Sequence, residues 1–286
     1  MTILIADAGA TKTDWVKITY GKNSTYHEET YTGVGISPVH HDIDMIEEEL
    51  RLVRVALGDV FDKIRFYGTG IGSPMIAEQM ITILSEIFVC RDIAAESDMS
   101  GAAKAVLGNS PGIACIMGTG SNSCHYDGEK IDRKSASLGY ILDDEGGGVA
   151  YGRRLLSDIY KGIAPKDIIE KFNARYNLPV SEVVNHLYRQ PSPNRWIAGF
   201  MKFILDNSDH EYIKQLILSQ TEKFLDREFI TYTESELKEE GIGFVGSVAV
   251  GFKDQINVLM QQRGWRLREI TARPISRLVK METDIL

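Results

Sequence analysis

The segment ILIADAGATKTDW, residues 3 to 15, places an aspartate, a glycine and hydroxyl side chains directly after a short apolar run. Residues 3–6 have the length and content of a buried strand, and Asp7 with Gly9 predicts where that strand passes into a turn. Glycine and small residues let backbone N–H groups approach an anion closely. Because a carboxylate repels a phosphate, Asp7 suits such a turn only if a divalent cation lies between them.

Other interpretations of this first turn remain open from these residues alone. Asp-x-Gly turns also occur in plain hairpins that bind nothing. The segment GATKT differs from a P-loop, because the P-loop pattern needs a second glycine and a longer loop. The rest of the chain has to decide between an ordinary turn and an anion site.

Two later turns repeat the pattern of a strand that ends at glycine. The first follows a predicted strand over residues 112–117 and contains two glycines and two hydroxyl residues: Gly118, Thr119, Gly120 and Ser121. Its composition suits a loop that wraps a phosphate. The second is Gly246 with Ser247, between a predicted strand and a predicted helix, where backbone donors meet a helix N-terminus.

Acidic residues occur at two further places. Asp98 follows Ser97 between a predicted strand and a small-residue helix, so it is either a helix N-cap or first-turn acid, or a carboxylate that accepts a proton from a hydroxyl group. Asp143, Asp144 and Glu145 precede three glycines. A solvated loop could carry three acids, but the glycines indicate that the backbone is crowded there, with ligand hydroxyls as partners for the acids.

The elements that position these residues alternate between strands and helices. Three strands, a helix, a strand, a helix and a strand, the last at residues 89–95, predict one α/β domain over residues 1–108. Residues 109–286 predict a second domain with helical segments at 149–160, 165–176, 180–187, 195–205 and 211–239. A final α/β unit consists of a strand at 242–245, a helix at 247–262 and a strand at 266–270. The last 15 residues or so are expected to pack on the first domain.

Composition restricts the class of protein and its partners. The 286 residues, 43% hydrophobic and 25% charged, are typical of a globular protein with two domains. A net charge of −8 argues against binding to a nucleic-acid backbone. No segment predicts a signal peptide or a membrane span, and three cysteines without C-x-x-C spacing indicate the cytoplasm. The adjacent His40 and His41 predict a loop or helix start.

Five motifs, taken in order, resemble a known family. DAGATKTDW, SDMSGA, MGTGSN, LGYILDDEGGG and FVGSVA are similar to those of the N-acetylglucosamine kinase branch of the BadF/BadG/BcrA/BcrD ATPase family. That family belongs to the actin, Hsp70 and sugar-kinase superfamily. The resemblance covers nearly the whole chain and implies a two-domain, actin-like (ribonuclease H-like) α/β fold with a nucleotide cleft between the domains.

The resemblance also implies roles for individual residues. Asp7 would hold Mg²⁺ through water, and Asp98 would be the catalytic base for a sugar hydroxyl. The implied ATP-binding residues are Gly9, Thr11, Lys12, Thr13, Gly118, Thr119, Gly120, Ser121, Gly246 and Ser247. The implied sugar-side residues are Ser37, Asp98, Thr119, Asn122, Leu138 and Asp144.

This chain departs from the family pattern on the sugar side. The family usually has G-D-E-G-S-G where residues 143–148 read DDEGGG, so Asp143 replaces a glycine. Leu138 takes the place of a tryptophan of the animal enzyme, and Ser37 that of a sugar-contacting asparagine. The ATP side is therefore better supported than N-acetylglucosamine itself.

The expected activity is ATP-dependent phosphorylation of a hydroxyl of N-acetylglucosamine or a related hexose, with Mg²⁺ as the metal. The expected partners are the small-molecule sugar and a second copy of the chain, as a homodimer, without nucleic acid or membrane. Two alternatives stay open: an ATPase that drives a partner protein, and a non-catalytic sugar sensor. Family members of the first kind hold an iron–sulfur cluster, for which Cys115 and Cys124 are poorly placed beside the second turn.

Overall fold

The computed structural model describes residues 1–9, 11–21, 25–39 and 41–284. The chain divides into two compact units, each with one five-stranded sheet. The first unit contains Met1–Ser110, Gly128–Ile131 and Arg273–Leu286, and the second contains Pro111–Asp127 and Asp132–Ala272. The predicted α/β class is confirmed.

The strands of the two sheets are few and short. Those of the first unit are β1 (Thr2–Ala8), β2 (Lys12–Tyr20), β3 (Tyr26–Val34), β4 (Lys63–Gly68) and β5 (Asp92–Ser97). Those of the second sheet are β6 (Gly112–Met117), β7 (Ser121–Tyr126), β8 (Ile131–Lys134), β9 (Ile242–Val245) and β10 (Leu267–Thr271). The spatial orders are β3-β2-β1-β4-β5 and β10-β9-β6-β7-β8.

Helices cover both sheets. In chain order they are α1 (Ile43–Leu57), α2 (Pro74–Ile87), α3 (Asp98–Leu107), α4 (Gly148–Tyr160), α5 (Lys166–Tyr176), α6 (Val180–Tyr188), α7 (Pro193–Ala198), α8 (Met201–Asp206), α9 (Glu211–Glu228), α10 (Ser247–Gly251), α11 (Lys253–Arg263) and α12 (Ile275–Asp284). None of the described helices is long and apolar enough to cross a membrane.

The central strand β1 of the first sheet is covered on both faces because it sends alternate side chains to two helical layers. Leu4 of β1 and Trp15 of β2 pack with Leu50 of α1 in one apolar cluster. Ile3 and Ile5 of the same β1 strand face the other layer. There they pack with Leu278 and Val279 of α12, so the C-terminal helix belongs to the core of the first unit.

Parallel pairing sets which strand ends lie together. In the first unit β4 runs parallel to β1 and β5 parallel to β4, so the carboxyl ends of all three lie at one edge. In the second unit β9 runs parallel to β6, and the chain leaves both strands at the same edge. β7 returns antiparallel to β6 through the tight turn of residues 118–120.

Two predicted helices are shorter or more broken than the sequence suggested. The helix predicted for residues 195–205 is interrupted at Gly199, between α7 and α8. Just before this break, the carbonyl group of Ile197 lies against Gly152 of α4. The helix predicted for 211–239 ends at Glu228. Tyr232 is extended there, and its hydroxyl group lies 2.7 Å from the Ser123 hydroxyl. Residues 236–240 form a π-helix.

Other boundaries also differ. The helix predicted for 247–262 breaks at Phe252, whose ring is fully buried 4.9 Å from that of Tyr151. The strand predicted from Val89 begins only at Asp92, and Val89 forms an isolated bridge with Val60. The strand β8 was not predicted. In each helix the packing of an aromatic or glycine against a distant element overrides helical propensity.

We expect Leu278→Ala in α12 to destabilise the first unit by about 2–5 kcal/mol, because it leaves a cavity among Ile3, Ile5 and Val279. Val55→Ala, at a side chain of α1 that is 87% exposed, is the control and should cost little. Urea unfolding of both variants measures the difference. Equal effects of the two substitutions would contradict the assignment of α12 to this core.

Candidate functional site

The carboxyl ends of β1, β4 and β5 bring two predicted acids to one edge of the first sheet. In register, Ala8 lies beside Gly68, and Gly68 beside Ser97. Asp7 therefore lies one residue before the aligned row of Ala8, Gly68 and Ser97, and Asp98 lies one residue after that row. In parallel sheets the carboxyl ends of the strands are where ligands bind. The structure thus brings Asp7 and Asp98 together within a single unit.

Asp7 is partly buried, and its carboxyl group has an altered pKa. Burial first, and then the charges of Asp14 and Asp98, raise its pKa from 3.8 to about 7, although Lys12 opposes the shift. Asp14 is its direct cross-strand neighbour on β2. Like charges placed opposite each other repel. A bound cation would relieve this repulsion, so the residues fit a divalent ion held near Asp7.

The described residues include no group of three or more His, Cys, Asp or Glu side chains arranged to hold a metal ion. A Mg²⁺ ion usually keeps several water ligands and takes one or two carboxylates plus phosphate oxygens. The carboxyl group of Asp7 therefore suits an ion whose other ligands are water and a bound phosphate.

Lys12 is engaged with an acid that the sequence analysis did not single out. Its Nζ lies 2.6 Å from Oδ2 of Asp14, and the Thr32 hydroxyl donates to Oδ1 of Asp14 at 2.8 Å. Burial opposes ionisation of Asp14, but these two hydrogen bonds, with the charges of Lys12 and Arg273, hold its pKa below the usual value. Asp14 is thus an anionic partner for the Lys12 side chain, which is half exposed.

The first turn is shorter than predicted. β1 continues through Asp7 to Ala8, and Thr13 is a fully buried residue of β2 opposite Ala8, not a turn residue. The Gly9 N–H donates to the Lys12 carbonyl at 2.9 Å, and the Thr11 side chain is exposed. Ala10 lies outside the described residues. The Thr13 hydroxyl is buried and has no hydrogen-bond partner among the described residues.

Asp98 is the first residue of α3. The N-cap is Ser97, whose Oγ accepts from the Ser100 N–H at 3.2 Å, so the N-cap interpretation of Asp98 is wrong. Oδ1 of Asp98 accepts from the Met99 N–H at 2.9 Å. Asp98 is a first-turn acid, and the helix dipole favours its anionic form.

The turn after β6 presents backbone donors. Gly118 N–H donates to the Gly120 carbonyl at 2.9 Å. The carbonyl groups of Gly118 and Thr119 accept from Gly148 and Val149 at the start of α4, at 2.8 and 3.1 Å. In the part of the chain that the structure describes, the N–H groups of Thr119 and Gly120 donate to no protein acceptor. Two such donors in a tight turn suit an anion.

Asp144 lies against this same turn. Its Oδ1 accepts from the Ser121 N–H at 2.7 Å, and its backbone has a left-handed φ of 66°. Burial and the neighbouring charge of Asp143 raise the pKa of Asp144. The hydrogen bond from the Ser121 N–H and the charge of Arg153 oppose this upward shift. Ser121 in turn accepts the Gly146 N–H on Oγ at 3.0 Å.

The three glycines after Asp144 are crowded by the protein itself. A Cβ on Gly146 would lie 2.6 Å from the Phe224 ring, one on Gly147 2.5 Å from Cα of Gly120, and one on Gly148 2.9 Å from Met201. The predicted crowding is therefore real, but close packing of the loop explains it without a ligand. Gly118 differs, since nothing lies within 4 Å of its Cβ position.

The remaining predicted sugar-side residues lie in different environments. Ser37 is fully buried, and its hydroxyl has no partner among the described residues. Leu138 is 60% exposed. Oδ1 of Asn122 accepts from the Ser123 N–H at 2.8 Å. His41 Nδ1 accepts from the Ser37 N–H at 3.3 Å, and His40 lies outside the described residues.

The third predicted turn joins the second at the edge of the second sheet. Gly246 has a φ of 126°, and a Cβ there would lie 2.2 Å from the Met117 carbonyl oxygen. Only glycine fits this position. Ser247 is exposed at the start of α10. The turns after β6 and β9 are therefore in contact within one unit.

Sequence reasoning missed Asp14 and the structural use of the Asp144 carboxylate. Asp14 lies between the predicted turn and the strand predicted to follow it, and the register of β1 with β2 is what places it opposite Asp7. The contact between Asp144 and Ser121 joins residues 23 positions apart, and no local pattern indicates it.

Comparisons with solved structures cover the full length of the chain. A protein of Porphyromonas gingivalis named "Putative N-acetylglucosamine Kinase" is 34% identical, with 99% of both chains covered and a TM-score of 0.87. The chain belongs to the N-acetylglucosamine kinase branch of the BadF/BadG/BcrA/BcrD ATPase family. No protein-family model and no curated protein sequence matches it.

Two more distant structures show the fold alone. A Chromobacterium violaceum protein with the same printed name is 14% identical, with 98% of both chains covered and a TM-score of 0.70. MreB 5 of Spiroplasma citri, solved with AMPPNP, is 12% identical, with 99% of this chain and 95% of that chain covered and a TM-score of 0.59. The predicted two-domain, actin-like ATPase fold of the family is confirmed.

The raised pKa of Asp7 predicts a pH-dependent stability. Because burial disfavours its anion, the wild type loses stability as pH rises from about 4 to about 7. Asp7→Asn removes this penalty. The variant should therefore gain stability over the wild type, and the gain should be about 2–3 kcal/mol larger at pH 8 than at pH 5.

Denaturant unfolding at both pH values, without divalent cations, measures the gain. Asp44→Asn, at an exposed acid in the first turn of α1, is the control substitution. An equal gain for Asp7→Asn at pH 5 and pH 8 would show that Asp7 is not held in its neutral form by burial.

Proposed function

We propose that this protein is an ATP-dependent sugar kinase that phosphorylates a hydroxyl of N-acetylglucosamine or a related hexose. The observation that carries the proposal is the meeting of Asp7 and Asp98 at the carboxyl ends of parallel strands. A kinase needs one acid near the metal and another near the acceptor hydroxyl. Membership of the family agrees with this assignment.

ATP and Mg²⁺ are assigned from the character of the turns. The N–H groups of Thr119 and Gly120, which donate to no acceptor among the residues that the structure describes, suit phosphate oxygens. Asp7 would hold Mg²⁺ through water. Mg²⁺, when bound, would neutralise charge that develops on the phosphates. Lys12, anchored by Asp14, supplies a further positive charge beside the first turn. Support for the nucleotide therefore comes from both turns independently.

In the proposed reaction Asp98 accepts the proton of the sugar hydroxyl. The hydroxyl oxygen forms a bond to the γ-phosphorus of ATP as the bond to the β,γ-bridging oxygen breaks, which leaves ADP. Most of the rate enhancement in such reactions comes from positioning and electrostatics. The side chain of Asp98 is half-buried and held by the Met99 N–H, which limits its rotamers.

The sugar itself is the finer part of the proposal. Asp144 matches the sugar-binding aspartate of the family, and its Oδ1 is already engaged by Ser121, so Oδ2 is the oxygen left for a sugar hydroxyl. Asn122, Leu138 and the buried Ser37 complete the proposed sugar-side set. The extra acid Asp143 distinguishes this loop and favours a substrate rich in hydroxyl donors.

The alternative of a partner-driving ATPase with an iron–sulfur cluster has less support. Cys115 and Cys124 are both fully buried within β6 and β7. Burial raises the pKa of the Cys115 thiol well above its usual value. Cluster ligands are thiolates at sites that a cluster can reach, and these two side chains instead fill the core of the sheet.

The assignment of the base predicts the effect of Asp98→Asn. The variant should still bind ATP and sugar, but kcat should fall by about 10²–10⁴, the usual contribution of a positioned proton acceptor. Because Ser97 supplies the cap, stability should change little. ATP turnover of wild type and variant, measured over a panel of hexoses and N-acetylhexosamines with product mapping, tests this.

Three outcomes would count against the proposal. Sugar-stimulated turnover that survives Asp98→Asn would remove Asp98 as the base. Turnover in the wild type that no sugar stimulates would favour the partner-driving ATPase. A rise in melting temperature with sugar but no phosphorylated product would indicate a sensor.

Because the space around Gly118 is open, we expect a substitution there to change nucleotide binding without changing the stability of the fold. Its φ lies outside the left-handed region and its Cβ position is empty, so Gly118→Ala should fold normally yet weaken nucleotide binding by occupying the ligand's approach. Gly147→Ala, whose Cβ would meet Gly120, should instead lower the melting temperature. Thermal unfolding and titration with an ATP analogue measure both. Unaltered nucleotide affinity in Gly118→Ala would contradict the phosphate role of this turn.

A further inference from the structure

A ladder of hydrogen bonds joins the acidic loop and the start of α4 to the turn after β6. Two bonds run from backbone N–H groups at the start of α4 to the carbonyls of Gly118 and Thr119. Gly146 N–H donates to Ser121 Oγ at 3.0 Å, and the Asp144 carboxylate accepts the Ser121 N–H at 2.7 Å. The two loops therefore form one connected structure.

The Asp144 carboxylate is the acidic side chain in this ladder. An anionic acceptor makes a stronger hydrogen bond to a backbone N–H than a neutral one does. Gly120 leaves room for this carboxylate, because a Cβ there would lie 2.6 Å from Oδ1 of Asp144. The absence of a side chain at Gly120 is thus explained by Asp144 and not by a ligand.

The backbone of Asp144 supports the same interpretation. A φ of 66° is uncommon for a residue other than glycine, although aspartate tolerates it better than most. The Gly147 N–H donates to the Asp144 carbonyl at 2.9 Å, which closes a tight turn around this residue. The strained conformation is held by contacts on both its carbonyl and its side chain.

The position of the bond explains what it does for the turn. Ser121 follows directly after the two N–H groups, of Thr119 and Gly120, that have no protein acceptor among the described residues. The Asp144 carboxylate holds the Ser121 N–H, and the start of α4 holds the carbonyls of Gly118 and Thr119. Together these bonds restrict the peptide planes that carry the two donors. Donors fixed in advance bind an anion with a smaller loss of conformational entropy.

We infer that Asp144 is a positioning residue for the phosphate turn, acting on the nucleotide through the Ser121 N–H in addition to any contact with the sugar. This inference rests on the proposed function, because it takes the turn at residues 118–121 to bind phosphate. It differs from a purely sugar-binding role in one measurable respect: Asp144 should affect nucleotide affinity when no sugar is present.

The neighbouring acid Asp143 provides a matched control. It lies in the same loop and carries the same side chain, but its Oδ2 accepts from the Leu138 N–H at 3.3 Å, within the acidic loop itself. Substitution of either aspartate by glycine removes the same carboxylate. At position 144 glycine also accepts the left-handed backbone without strain, so Asp144→Gly isolates the loss of the side chain.

The experiment titrates wild type, Asp144→Gly and Asp143→Gly with AMPPNP and Mg²⁺ in the absence of sugar. We expect Asp144→Gly to weaken AMPPNP binding about tenfold, the scale of a lost hydrogen bond to a charged group, and Asp143→Gly to change it less than twofold. Asp144→Asn retains a carbonyl acceptor and tolerates the left-handed backbone. It should therefore recover most of the affinity that Asp144→Gly loses.

Amide hydrogen exchange gives a readout that is independent of nucleotide binding. The Ser121 N–H should be protected in the wild type and in Asp143→Gly, and should exchange faster in Asp144→Gly. Melting temperatures show whether each variant is folded. If Asp144→Gly does not fold, Asp144→Asn and Asp143→Asn are compared instead, with a two- to threefold loss of affinity expected only at position 144.

The outcomes separate the inference from the proposed function. If the wild type binds AMPPNP and Asp144→Gly binds it equally well, or if both glycine variants lose the same affinity, the positioning role is overturned and the kinase proposal stands. If the wild type does not bind AMPPNP, the phosphate role of the turn fails, and with it the inference.

Discussion

The burial of the Asp7 carboxyl group beside two other carboxyl groups is the constraint on which the first unit depends. The register between β1 and β2 places Asp14 directly opposite, and the parallel order of β1, β4 and β5 places Asp98 at the same edge. Lys12 forms an ion pair with Asp14, and its charge also opposes the rise in the pKa of Asp7. Because burial and the charges of Asp14 and Asp98 raise the pKa of Asp7, a cation bound beside Asp7 would offset their effect.

The second unit offers backbone N–H groups that would suit an anion. Its turns after β6 and β9 pack together through Gly246 and Met117, and the acidic loop is bonded to the first of them. This loop carries acids that would repel a phosphate if they were free to face it. Because the carboxylate of Asp144 is held by Ser121, its charge stabilises the turn that offers the donors.

Local patterns predicted the strands other than β8, most helices and the turns that were expected to bind ligands. They failed where distant packing decides: Phe252 breaks a helix because its ring fills the core, and Tyr232 ends another by reaching Ser123. Thr13 looked like a turn residue because the sequence does not show where a strand resumes. The glycines at 146–148 were correctly taken as a sign of crowding, but their neighbours are protein atoms.

By itself the sequence determined the α/β class, the order of the glycine-bearing turns and the family, because turn chemistry and apolar runs depend on residues close in the chain. Only the tertiary structure decided that Asp14 faces Asp7 and that Ser97 caps α3. It also decided that one carboxylate oxygen of Asp144 accepts a hydrogen bond from the Ser121 N–H. These partners follow from strand register and loop packing. Such contacts join residues far apart in the chain, and no periodicity of the sequence encodes them.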